Sequence, residues 1–139
     1  MKKSLLSILT LFTLAGLLIS ACSGSSASLE GEWSLVSYGN ASALTPALPN
    51  VETSINFGAD GQFGGTVGCN SFGAEYSVSG DNITFGSVLS TMMFCEDINE
   101  QESTVLSILN DKALTVESDG TTLTLVSADG ASVIVLTRK

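Results

Sequence analysis

Asp-Gly occurs three times in the chain, at Asp60-Gly61, Asp119-Gly120 and Asp129-Gly130, each time between segments that read as strands. Glycine accepts positive φ at no steric cost, which suits this pair to tight hairpins. The segments around "ALTVE", "TLTLVS" and "SVIVLTRK" are therefore expected to form an antiparallel meander. Upstream, "VETSINF" alternates cleanly and puts Val51, Thr53, Ile55 and Phe57 on one face, as in a half-buried strand. In "LEGEWSLVSY", Trp33 and Leu35 share one face while Val36 and Tyr38 take the other. "VIVL" is apolar on both sides, so that strand is expected to be covered on both faces.

One segment departs from this period. Between Asp97 and Asn110, Ile98, Val105, Leu106 and Leu109 follow helical spacing. Asn99 with Glu102 three residues later has the form of a capping box. Acids gather at the start of the segment and Lys112 follows its end, as the helix dipole prefers. One amphipathic helix on a curled sheet is the simplest account. The longest stretch with neither pattern is "GNASALTPALPN", Gly39 to Asn50, where Pro46 and Pro49 bar a continuous central strand.

The first residues stand apart from this domain. Residues 1–21 have a basic start (Lys2, Lys3), an apolar run from Leu5 to Ile19, and small residues after it. That is the build of an export signal, and the run is shorter than the roughly 20 apolar residues of a spanning helix. Ile19-Ser20-Ala21-Cys22 is similar to the bacterial lipobox, which implies that the mature chain begins at Cys22 carrying diacylglyceryl and amide-linked acyl chains. Two or more chains give stable anchoring where one does not. The alternative is an uncleaved anchor with an incidental cysteine. Residues 22–28 then form a Ser/Gly tether, and residues 29–139 form the domain. Ser23 after Cys22 favours an outer membrane facing the periplasm if the host has two membranes, and otherwise the outer face of the cell membrane.

Beyond the signal, three basic residues (Lys112, Arg138, Lys139) stand against fourteen acidic ones, a net charge of −11. This balance argues against nucleic acid, whose phosphates need lysine or arginine, and against a basic patch on anionic lipid. There is no histidine, so serine–histidine and cysteine–histidine nucleophile systems are excluded. A carboxylate pair of Glu75 with a member of the Glu96–Glu102 cluster is outweighed by the reading of a charged helix start. Asp97, Asn99 and Glu102 lack the glycine and full ligand set of a calcium loop. No catalytic residue, metal or cofactor is expected.

"LEGEWSLVS", "DGQFGGTVGCNSFGAEY" and "ITFGSVLSTMMFC" together resemble the META/HslJ family, with its Leu-x-Gly-x-Trp strand, Gly-Cys-Asn turn and Thr-x-Met-x-Cys segment. The resemblance spans nearly all of Leu29 to Arg138, in order. It implies a mainly β fold, an antiparallel sheet curled into an incomplete lipocalin-like barrel with one α-helix. It also implies an envelope or stress-associated protein.

With Cys22 assigned to lipid, Cys69 and Cys95 remain as a pair in an oxidising compartment. A structural disulfide is the favoured reading, beside buried free thiols and a redox or metal pair. Closing a loop of about 25 residues stabilises by roughly 3.5 kcal/mol in the chain-entropy model. Gly64, Gly65 and Gly68 let the backbone bend and approach closely beside Cys69. Trp33 is expected to anchor the core, and one or two of Met92, Met93 and Phe94 to help fill it, with a ligand-lining role as the alternative. Tyr38 and Tyr76 are placed at the surface. Recognition, if it lies on a loop, falls on Gly39–Asn50 with Leu44, Pro46, Leu48 and Pro49; the competing reading folds those leucines back over the barrel end.

The expected protein is a lipid-anchored, non-enzymatic binding or stress-protective module. Its partners are the membrane through Cys22 and either an envelope protein or a small apolar ligand. The alternatives are an inhibitor-type lipoprotein blocking a basic hydrolase such as lysozyme, which needs a protruding loop, and a carrier, which needs a cavity of about 300–1,000 Å³. The lipobox carries a direct test. Cys22→Ser should abolish fatty-acid labelling and leave the precursor unprocessed; unchanged labelling would remove the lipid assignment.

Overall fold

The computed structural model describes residues 28–110 and 113–139. The signal segment 1–21, Cys22 with most of the tether, and Lys112 lie outside the described residues. The elements are β1 (Gly31–Asn40), β2 (Ala43–Pro46), β3 (Ser54–Phe57), β4 (Gln62–Thr66), β5 (Ser71–Ser79), β6 (Asn82–Phe85), β7 (Leu89–Ser90), α1 (Asn99–Leu109), β8 (Ala113–Ser118), β9 (Thr122–Ser127) and β10 (Ser132–Arg138).

The Asp-Gly pairs make the expected hairpins, joining β3 to β4, β8 to β9 and β9 to β10. Gly61, Gly120 and Gly130 have φ of 79°, 94° and 71°, and each preceding aspartate accepts backbone N–H groups ahead of it. The Thr122 and Thr121 N–H donors hold the Asp119 carboxyl below its ordinary range. Every strand pair is antiparallel.

Eight strands run in the order β10-β9-β8-β6-β5-β4-β3-β1, and β1 pairs back onto β10 from Trp33↔Arg138 to Asn40↔Ser132. The expected curled sheet thus closes into a complete barrel. Closure satisfies the backbone groups that two free edges would leave open. Two short strands lie off the ring, β2 on β1 and β7 on β5.

Alternation places Trp33, Leu35, Ile55, Phe57, Phe63, Phe72, Ile83, Phe85, Leu114, Leu123, Leu125, Ile134 and Leu136 in one core. Phe63 stacks against Phe57, Phe72 and Phe85 with ring centroids 4.8, 5.3 and 4.7 Å apart. Val105, Ile108 and Leu109 of α1 join this cluster, so the helix plugs one end of the barrel against β1 and β10. The "VIVL" strand is covered as its two-sided apolar pattern requires: Val133, Ile134 and Leu136 are buried and Val135 is half-buried.

Three expectations from strand pattern change. Tyr38 is 4% exposed because a bulge lies between Leu35 and Ser37: Leu35 opposes Leu136 and Ser37 opposes Val135, so Val36 is an extra residue. The bulge flips the face of the residues after it and turns Tyr38 inward, where burial, with a smaller effect of Glu100, raises its hydroxyl pKa. Tyr76 is half-buried, its hydroxyl donating to Gly58 O at 2.7 Å. The Gly39–Asn50 segment is not structureless, since Ala43–Pro46 folds back on β1 as an edge strand, the place where proline is tolerated. Ala47 N–H then donates to Val36 O at 2.8 Å and Leu48 N–H to Gln101 Oε1 of α1 at 2.8 Å. Leu44 is 38% exposed and Leu48 is half-buried, so this segment lies against the plugged end.

At the opposite end, Arg138 sits 4.2 Å over the Trp33 ring. Its guanidinium donates to Gly120 O, Glu30 O and Ser28 O at 2.9, 3.0 and 2.6 Å. Trp33 Nε1 donates to Leu29 O at 2.8 Å. Ser28–Glu30 are thereby tied to β1 and β10. Trp33→Ala should cost about 3–5 kcal/mol in urea unfolding. A loss under about 1 kcal/mol would show that Trp33 does not anchor the core.

Candidate functional site

Beyond β4 the chain turns through Val67-Gly68-Cys69-Asn70, against the start of α1. Gly68 has φ of +151°, and a Cβ there would lie 2.2 Å from Ile98 Cγ2. At Gly65 (φ +149°) a Cβ would lie 1.9 Å from Ser54 O. Only glycine allows these approaches. They bring Cys69 to Cys95, and the two form a disulfide with Cα atoms 6.2 Å apart.

Next to it, Glu102 is 7% exposed. Its Oε2 accepts from Asn70 N–H at 2.6 Å and Cys69 N–H at 3.1 Å, and its Oε1 accepts from Asn70 Nδ2. Hydrogen bonds to a charged group are the strong kind, and a carboxylate out of water needs them. Asn70, also buried, passes the constraint on: its Nδ2 donates to Met93 O at 3.0 Å, and its Oδ1 accepts from Met93 N–H and Thr91 Oγ1, both at 2.7 Å. Thr91 N–H donates to Ser71 O at 3.0 Å. Gln101, beside Glu102, donates to Val67 O at 2.7 Å.

The segment Thr91–Cys95 is thus held at both ends and through its backbone. Its side chains point out: Met92 is 95% exposed, Met93 60% and Phe94 77%, with Leu89 of β7 at 75%. This overturns the expectation that one or two of Met92, Met93 and Phe94 fill the core. The barrel is already packed with phenylalanine rings, and Asn70 fixes the segment's backbone outside it. Between the segment and α1 lies a cleft of about 360 Å³ lined by Met92, Met93, Phe94, Asn70, Ser103 and Leu106.

The capping box is also corrected. Ile98 occupies the N-cap with no side-chain cap bond, and Glu102 reaches the Cys69–Asn70 turn instead. Both Glu102 oxygens are committed there, and neither joins Asp97 and Asn99 in an oxygen cluster. Among the described residues, no group of three or more Cys, Asp or Glu residues is placed to hold a metal. Glu75 is exposed on β5 opposite Gln62 and does not meet the helix acids. At the barrel's other mouth, a cleft of about 300 Å³ is lined by Leu29, Tyr76, Val78 and Val116 among others. The sequence pattern reads Glu102 as a cap partner, a calcium ligand or part of an acidic cluster, and Asn70 only as part of the Gly-Cys-Asn turn; it does not predict that the two hold the Thr91–Cys95 segment. Their one signal was the asparagine directly after Cys69.

These features define a class: a small closed antiparallel barrel, plugged at one end by a helix and carrying a disulfide-pinned apolar loop beside that plug. The META domain family matches residues 27–139, and the chain belongs to that family. Similar folds occur in an NMR structure of a protein from Burkholderia xenovorans, at 18% identity and a TM-score of 0.62 over 79% of this chain and 82% of that one. The crystal structure of a DUF4847 family protein from Bacteroides vulgatus is also similar, at 16% identity and a TM-score of 0.60 over 79% and 93%. At these identities the likeness is one of fold. No curated protein matches the chain.

Glu102→Ala would strand the Cys69, Asn70 and Asn70 side-chain donors, and should lower unfolding free energy by about 1.5–3 kcal/mol in urea titration. Stability unchanged in that variant would mean the carboxylate does not hold the turn.

Proposed function

We propose that this META domain is a lipid-anchored, non-enzymatic envelope module that works by binding another macromolecule through the end of the barrel bearing Met92–Phe94. One observation carries the reading: the barrel interior is filled by side chains, while a rigid apolar segment is displayed outside it. A carrier of a small apolar ligand needs the reverse arrangement. Contiguous exposed apolar residues mark interaction surfaces, and a loop already ordered loses little entropy on docking. The site offers surface and no reactive group, with its one buried carboxylate committed to hydrogen bonds. Anchoring fits the same geometry. Ser28 and Leu29, where the tether would enter, lie at the end opposite the helix plug, which supports a loop left clear of the surface to which Cys22 would be anchored. The narrower reading, an inhibitor-type lipoprotein that presses a loop into the cleft of a basic hydrolase such as lysozyme, draws on the same protruding segment.

Native mass spectrometry of the lipoprotein, released gently from its own host's membranes, separates these readings. A second protein should be retained and should be lost from the doubly substituted Met92→Ser, Phe94→Ser protein, whose melting temperature stays within a few degrees of the parent. A retained small molecule with no second protein would instead favour the carrier.

A further inference from the structure

Acids occur at both ends of the domain, whereas among the described residues no base lies at the loop end. Arg138 and Lys139, the basic residues among those described, both lie at the tether end, where Arg138 is bonded to Ser28 and Glu30 and Lys139 pairs with Glu32 at 2.9 Å. At the loop end, Glu96 and Asp97 follow Cys95 directly and are exposed, and Glu100 is exposed on the first turn of α1. The cleft between Thr91–Phe94 and α1 has an apolar rim in Met92, Met93 and Phe94, with Leu106 and Ser103 among the helix residues that line it. From this we infer that the cleft seats an apolar or aromatic side chain projecting from a cationic protein surface, with the partner's lysines or arginines meeting Glu96, Asp97 and Glu100. The inference rests on the reading of this segment as a docking surface and names what docks there.

Charge chooses among occupants. An anionic lipid surface would be repelled by these acids, and so would a second copy of a chain whose domain has a net charge of −11, fourteen acids against three bases. A basic protein gains twice. Its approach is accelerated by the field, and its apolar anchor leaves water in a pre-shaped cleft of about 360 Å³. Methionine suits such a rim because its unbranched, polarisable side chain adapts to the shape of the incoming group.

The test uses the full lipoprotein in zwitterionic nanodiscs, with short synthetic peptides as probes: lysine-rich with one phenylalanine, the same with serine for phenylalanine, and the same with glutamate for each lysine. The lysine–phenylalanine peptide should bind at least about tenfold more tightly than either control, and more weakly as salt rises. Met92→Ser with Phe94→Ser should abolish the phenylalanine preference without shifting the melting temperature, since both side chains are exposed. Glu96→Gln with Asp97→Asn should flatten the salt dependence and keep that preference. Equal binding of the three peptides would overturn the inference, as would unchanged binding by the Met92/Phe94 variant. Preferential binding of anionic vesicles at the loop, or crosslinking of two copies through it, would overturn it too. If the peptides fail while a Met92-dependent protein partner persists in native mass spectrometry, the cationic partner is wrong and the docking surface stands. If both fail, the docking reading falls with it.

Discussion

A buried carboxylate without a described cation beside it holds the plugged end of the barrel together. Glu102 is satisfied by three N–H donors, two from the backbone of Cys69 and Asn70 and one from the Asn70 side chain. Leaving a carboxylate in the interior without such donors would cost several kcal/mol. The arrangement therefore selects one position for the Cys69–Asn70 turn. That position orients the Asn70 amide, which in turn fixes Thr91 and Met93 and, with the disulfide, the outward direction of Met92 and Phe94. Gln101, one residue earlier on the helix, does the same for Val67 and Leu48. Two adjacent polar residues of α1 thus position a turn, a loop and the segment after β2.

The apolar side chains divide sharply between two tasks. Those inside the ring pack to near-zero exposure around Trp33, Phe57, Phe63 and Phe85, as a close-packed interior does. Those on Thr91–Cys95 contribute nothing to that core. Exposed bulky groups cost solubility and are kept harmless here by rigidity and by a strongly acidic surface. A stiff barrel is a suitable mount for such a segment, because a docking surface held in one shape loses little freedom when it binds.

What could be read from the chain depended on how local its cause was. The Asp-Gly turns, the alternation of Val51 to Phe57, the two-sided "VIVL" strand and the core role of Trp33 follow from neighbours within a few residues, and all of them appear in the fold. Tyr38 was misplaced because nothing in "SLVSY" shows that Val36 bulges; the bulge is set by the register against Val135 and Leu136, almost a hundred positions away. Met92, Met93 and Phe94 looked like core because composition alone favours burial, whereas their exposure is dictated by Asn70, more than twenty residues upstream. Glu102 read as part of a cap for the same reason. Its true partners, at Cys69 and Asn70, are separated from it by 33 and 32 positions. The Gly39–Asn50 prolines barred a central strand, as expected, and left open the edge strand that formed.

The seam between β1 and β10 joins the first strand of the domain to its last. Such a seam has the longest loop to close, and chains dominated by distant pairings fold slowly. As the polypeptide is made, every other strand of the ring can find a partner before β10 appears. β1 can meet β3 early, and the Cys69–Cys95 crosslink needs only the middle of the chain. The barrel itself stays open until Ser132–Arg138 arrives, and Arg138, the residue that clasps Ser28 and Glu30, lies at the end of that strand. The barrel is therefore closed, and its entry point fastened, only when β10 is in place, and a domain without that strand would keep two raw edges and a loose root.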